Sequence, residues 1–273
     1  MNLPEFKTIS IALSEHVADI RLNRPDKSNA LNETMWQEIR QAFAWVDCSP
    51  EARVAVLSGD GRNFCAGIDL AMLAGIQQQI ANPDGARSRE TLRRIILDLQ
   101  GCLSSIEQCR KPVLAAIHGA CIGGALDLIT CCDMRYVASD AVFSIKEIDI
   151  GMVADVGTLQ RLPRLVGEGI VRELAFTGRT MDAGEALSLG LANRIFPSRD
   201  ALLAGVHEIA ASITCKSPLA IRGTKEILNY SRDHSVADGL NYVATWNAAM
   251  LLSSDLKESM VAQHERRPPA FQS

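Results

Sequence analysis

Apolar positions in the first half of the chain come in short bursts between turn residues, whereas the second half repeats them at helical spacing. Val17 to Leu22 reads as a short strand closed by the turn Asn23-Arg24-Pro25-Asp26, and Asn32 then caps a helix reaching about Asp47. Val54 to Ser58 and Val113 to Ile117 are short buried strands, each followed by glycines. Residues 75–86 are polar and contain Asn82-Pro83-Asp84-Gly85, the signature of a flexible loop. After them, Leu92, Ile95, Ile96, Leu99 and Leu103 mark an amphipathic helix from Arg87 to Cys109. Short strands are expected at 135–138 and 142–147. From 158 onward the pattern is helical: 158–175 (interrupted by Pro163 and Gly167), 182–189, 199–215, 218–230, 235–252 and 255–265. The expected class is α/β, with a strand-containing core over 1–197 and a helical region over 198–273.

Composition narrows this picture. With 273 residues, 47% hydrophobic, the chain can bury a large core. Its 28 basic and 32 acidic side chains give a net charge of −4 and no basic field, so no nucleic-acid partner is expected. The eight cysteines lie mostly in apolar segments without CxxC or HExxH spacing, so reduced core thiols are expected and a metal site has no support. Val113 to Cys132 is long enough to cross a bilayer, but His118, Asp127 and glycines 119, 123 and 124 fit a soluble strand, turn and helix instead. Met1 to Lys7 lacks signal and transit patterns, and the ending Ala-Phe-Gln-Ser lacks a peroxisomal signal; a cytoplasmic location without membrane association is the expectation.

Two features could carry chemistry. The first is a pair of glycine turns after buried strands, Ala66-Gly67-Ile68 and Gly123-Gly124. They are either tight turns alone or backbone donors converging on one carbonyl oxygen, an oxyanion hole. The second is a set of carboxylates in apolar surroundings: Asp127, Glu147 and Asp155. Strand alternation puts Glu147 in phase with Phe143 and Ile145, facing the core, where burial raises a carboxyl pKa toward values suited to proton transfer. Both aspartates have a plainer reading as residues serving helix N-termini, Asp127 in the first turn of its own helix and Asp155 as the cap of the helix near 158. His118 reads as a core histidine, Cys65 as a buried thiol, and Asp69 as support for the turn holding Ile68.

The segments Asn-Arg-Pro-Asp-Lys-Ser-Asn-Ala-Leu-Asn (23–32), Phe-Cys-Ala-Gly-Ile-Asp-Leu (64–70) and Ile-His-Gly-Ala-Cys-Ile-Gly-Gly-Ala-Leu-Asp-Leu (117–128) closely resemble the enoyl-CoA hydratase/isomerase (crotonase) family. Residues 143–163, 230–237 and 240–244 resemble its dienoyl-CoA isomerase branch. That resemblance implies a spiral of β-β-α units with a C-terminal helical region, assembled as homotrimers or hexamers, with the Trp246 to Met250 helix either a trimer contact or packed within the chain. It implies oxyanion amides at Ile68 and Gly124 and acid/base carboxylates at Asp127, Glu147 and Asp155. Hydratases carry glutamate at the position of Asp127 and glycine at that of Asp155, which argues for isomerisation. The implied substrate is an acyl-CoA thioester held near Lys27, Ser28 and Ala30 and along Ala66, Gly67, Ile68, Asp69 and Leu70; the coenzyme A is part of the substrate and no cofactor is implied. A hydratase, or a non-catalytic binding protein of the same fold, is the alternative.

Overall fold

The computed structural model describes residues 2–273. Nine strands and eleven α-helices alternate along them. A β-hairpin, β1 (Ile9–Ser14) and β2 (Val17–Leu22), leads into α1 (Glu33–Cys48), β3 (Val54–Gly59), α2 (Leu70–Gln79) and α3 (Gly85–Gln108). Then come β4 (Val113–Ile117), β5 (Ala120–Ile122), α4 (Gly124–Thr130), β6 (Met134–Ala138) and β7 (Val142–Ser144). The rest is α5 (Thr158–Arg161), α6 (Glu168–Thr177), β8 (Met181–Asp182), α7 (Ala183–Ser188), β9 (Arg194–Phe196), α8 (Arg199–Thr214), α9 (Pro218–Arg232), α10 (Val236–Met250) and α11 (Ser254–Glu265).

A six-stranded sheet runs in the order β1-β2-β3-β4-β6-β9, parallel except for the β1/β2 hairpin. A smaller sheet, β5-β7-β8, sits beside it. Because the large sheet is covered on both faces, its central strands are continuously apolar. Ala55 and Leu57 join the main core with Trp36, Ile39 and Phe43 of α1 and Leu103 and Ile106 of α3. Val54 and Val56, pointing the other way, meet Leu202, Val206 and Ala210 of α8. Full burial of a leucine or valine contributes roughly 1.5–3 kcal/mol, so Leu202 and Val206 make α8 part of the core on the face opposite α1.

Asn32 caps α1 as the sequence indicates, its side chain accepting from Met35 N. Three expectations are corrected. The polar stretch from residue 75 is helical through Gln79: Asp69 accepts from Ala71 N at the start of α2, and the good helix formers of Leu-Ala-Met-Leu-Ala outweigh Gly75. The strand expected through Glu147 stops at Ser144, because its partner β5 ends at Ile122 where Gly123 turns the chain into α4. Glu147 instead opens a 3₁₀ turn, Glu147–Ile150. Among the cysteines, all free, Cys48 and Cys215 are exposed at the ends of α1 and α8. Among the described residues no helix is long and apolar enough to cross a membrane; Val113 to Cys132 forms β4, β5 and α4.

Candidate active site

The loops leaving β3 and β4 lie edge to edge. Phe64 N donates to His118 O at 2.8 Å, Cys65 N to Ala120 O at 3.0 Å and Ile122 N to Cys65 O at 3.1 Å. Leu31 braces the far side through a parallel bridge to Ile68: Leu31 N donates to Gly67 O and Asp69 N to Leu31 O. A parallel bridge uses the groups flanking Ile68 and leaves the Ile68 N–H pointing away from Leu31. Gly124 is the first residue of α4, so its N–H has no acceptor one turn back. Neither amide donates to a protein acceptor among the described residues. Their closeness shows in what side chains would meet: a Cβ at Gly124 would lie 3.7 Å from Ile68 N, and one at Gly67 3.3 Å from Gly124 N. Gly67 is obligatory, since its φ is +88° and a Cβ would lie 2.5 Å from Ile122 O.

These amides open on a cavity of about 210 Å³ whose wall includes Ala66, Gly67, Ile68, Leu70, Gly123, Gly124, Glu147 and Asp155, with Trp36, Leu99, Met152 and Val156 as apolar lining. Glu147 is half-buried, with Oε2 unpartnered, and its pKa is pushed up to about 7 by burial and then by the charge of Asp127. Asp155 is half-buried in the irregular segment before α5, its carboxylate accepts no hydrogen bond from another residue, and burial raises its pKa. The cavity thus holds two free N–H donors and two uncommitted carboxylates.

Asp127 stands apart. It is completely buried behind the wall, with Oδ1 accepting from Thr158 N at 2.5 Å and Oδ2 unpartnered. Burial raises its pKa to about 6. It stands in the first turn of its own helix, as the sequence indicates, and its hydrogen bond serves the N-terminus of α5, while Asp155 caps nothing: the residue before α5 is Gly157.

Lys27, Ser28, Ala30 and Asp69 do not line this cavity. Lys27 is exposed, and Ser28 O accepts from Ala66 N, joining the two segments. Asp69 is engaged at 3.0 Å by Arg24, which also donates to Ala30 O and holds the Asp69 carboxyl below its usual range. Sequence reasoning passed over Arg24 and Asn29. Asn29 is fully buried, its amide donating to the carbonyls of Asp60, Asn63 and Phe64 while its Oδ1 accepts from Arg24 N. The available signal was a polar residue between turn and helix signals with no cap of its own to make. His118 is buried, its Nε2 3.0 Å from Gly61 O. Two other cavities adjoin: one of about 670 Å³ among α1, α2 and α3 shares Trp36 and Leu99, and an apolar one of about 300 Å³ against α6 shares Glu147 and Met152.

The fold, the paired amides and the facing carboxylates define the class. The enoyl-CoA hydratase/isomerase family pattern matches residues 12–273, and the chain belongs to that family. It is 49% identical over 275 residues to the peroxisomal Delta(3,5)-Delta(2,4)-dienoyl-CoA isomerase of Arabidopsis thaliana, covering 99% of each chain. It is also 49% identical over 254 residues to the mitochondrial enzyme of that name from Homo sapiens, covering 93% of this chain and 77% of the relative. Among solved structures, an enoyl-CoA hydratase from Bacillus anthracis superposes with a TM-score of 0.88 at 30% identity, over 97% of this chain and 99% of that one.

Proposed function

We propose that this chain is a Δ3,5-Δ2,4-dienoyl-CoA isomerase, acting in fatty acid β-oxidation. The observation that carries the reading is the pairing, in one small cavity, of two free amides with two carboxylates that no other side chain hydrogen-bonds. It accords with relatives that bear this name at 46–49% identity.

The chemistry follows from charge. Glu147 removes a proton from C2 of the 3,5-dienoyl thioester, and the freed electron pair moves onto the thioester oxygen. The Ile68 and Gly124 amides stabilise that dienolate; each donor in such a hole is worth roughly 10²–10³ in rate. As the oxygen returns its electrons, C2=C3 and C4=C5 form and the C5=C6 pair takes a proton from Asp155 at C6. The change is redox-neutral and moves only a proton, so no cofactor is required, and coenzyme A enters and leaves with the acyl group. Asp127 sits behind Glu147 and raises its pKa. Lys27, Ser28 and Ala30 would meet the coenzyme A portion, Asp69 and Leu70 the thioester arm.

A cytoplasmic homotrimer or hexamer belongs to the same reading. Support for assembly comes from apolar side chains left open on and between the last two helices, among them Leu240, Leu252 and Met260. Trp246 itself packs within the chain, on Gly223 of α9. Free thiols throughout support a reducing compartment.

Replacing Asp155 with Asn tests the assignment by the ultraviolet absorbance of the conjugated product. Loss of at least about 10²-fold in turnover is expected. Unchanged turnover would remove Asp155 from the mechanism. A wild-type chain that hydrates 2-enoyl-CoA efficiently and forms no dienoyl product would instead be a hydratase.

A further inference from the structure

The Asp155 carboxylate accepts no hydrogen bond from another residue, and the segment carrying it has no regular structure. A proton donor must nevertheless be placed accurately, because a displacement of about 1 Å can cost roughly 10²-fold in rate. Its position must therefore be imposed through the backbone. The contacts that hold that segment come from one stripe of α3, at positions 100, 104 and 107, spaced four and three apart so that they share a face: Gln100 reaches the Asp155 backbone itself, and Ser104 and Glu107 hold Arg161, six residues on. Gln100 Nε2 donates to Asp155 O at 2.6 Å. Ser104 accepts from Arg161 at 3.2 Å, and Glu107 accepts from the same guanidinium at 3.0 and 3.3 Å. Arg161 and Glu107 are each only 17% exposed, so solvent screens the pair weakly, and Arg232 of α9 closes on the same carboxylate.

Gly157, two residues after Asp155, is what lets Arg161 fold back over the segment. Its φ is +137°, and a Cβ there would lie 2.0 Å from Arg161 Nη1. The guanidinium thus lies directly against Gly157, two residues beyond the acid.

We infer that Gln100, Glu107 and Arg161 are positioning residues for Asp155, a clamp that sets where the proton is delivered without touching the substrate. The inference rests on the proposed isomerase reading, in which Glu147 acts at C2 and Asp155 at C6.

A purely structural role would weaken both proton transfers together; a positioning role separates them. In deuterium oxide, Glu107→Gln should lower isomerisation roughly 10²-fold with KM within about twofold, while deuterium still enters C2 of recovered substrate at near the wild-type rate. Gln100→Ala, which removes the bond to Asp155 O without altering a charge, should shift the same ratio in the same direction, and decides the matter should Glu107→Gln fail to fold. Isomerisation within twofold of wild type in Gln100→Ala and in any folded Glu107→Gln would overturn the clamp, as would parallel loss of C2 exchange. Asp155→Asn is run alongside: if it isomerises normally, the acid assignment itself fails, whereas an inactive Asp155→Asn beside unaffected clamp variants overturns the clamp alone.

Discussion

Changing Asp127 to Asn isolates the cost of a buried charge behind the cavity. The carboxyl is fully buried, one oxygen accepts from Thr158 N and the other has no partner, and its pKa lies at about 6 against an ordinary 3.8. The folded chain therefore binds this proton more tightly than the unfolded chain. The associated stability is fully present below about pH 4 and is lost as pH rises through 6. At 1.36 kcal/mol per pKa unit, the ionised form costs the native state about 3 kcal/mol once both states are charged. Asparagine keeps the acceptor for Thr158 N, and its unpartnered N–H replaces the equally unpartnered O–H of the neutral acid. Wild type and variant should thus be nearly equal in stability below about pH 4, with the variant ahead by about 1 kcal/mol at pH 4.5 and about 3 kcal/mol by pH 8. Urea unfolding followed by tryptophan fluorescence, at one fixed protein concentration so that any assembly contributes equally, measures the difference. A gap that stays constant between these pH values would refute the reasoning.

Two further outcomes follow from the same geometry. Glu147 must be ionised to act as base and Asp155 protonated to act as acid, so kcat/KM should fall toward tenfold per unit below about pH 7 and fall again on the alkaline side as Asp155 ionises. Asp127→Asn should carry the acid limb to lower pH by removing a neighbouring negative charge; a pH–rate profile flat down to pH 5 would contradict both statements. Gly67→Ala forces a left-handed φ of +88° on alanine and drives its methyl into Ile122 O, 2.5 Å away, displacing the adjoining Ile68 amide. Steady-state turnover should drop by roughly 10²–10³-fold, and a fall of less than threefold would mean that this amide does not bind the oxyanion.

Much of this arrangement was legible along the chain because it is encoded by local signals. The continuous apolar runs of β3 and β4 announced strands covered on both faces, and Asn32 announced the start of α1. The glycines at 67 and 124 marked where backbone amides could be left free. Glu147 was singled out for the wrong local reason: strand alternation was invoked where the strand had already ended. Its buried setting comes from packing beside Gly123, whose missing side chain leaves room for the carboxylate, Oε1 standing 3.1 Å from where a Cβ would be.

What the sequence by itself determined was the order of elements, the apolar faces, the free amides and the three chemically uncommitted acids. Tertiary structure decided how those acids divide. Asp127 went to the core because the N-terminus of α5 supplied it a donor, whereas Glu147 and Asp155 were left facing the cavity because no other side chain hydrogen-bonds their carboxylates. Pairing is a property of distance in space, and residues 31 apart, such as Asp127 and Thr158, acquire it only once strands and helices have closed around them.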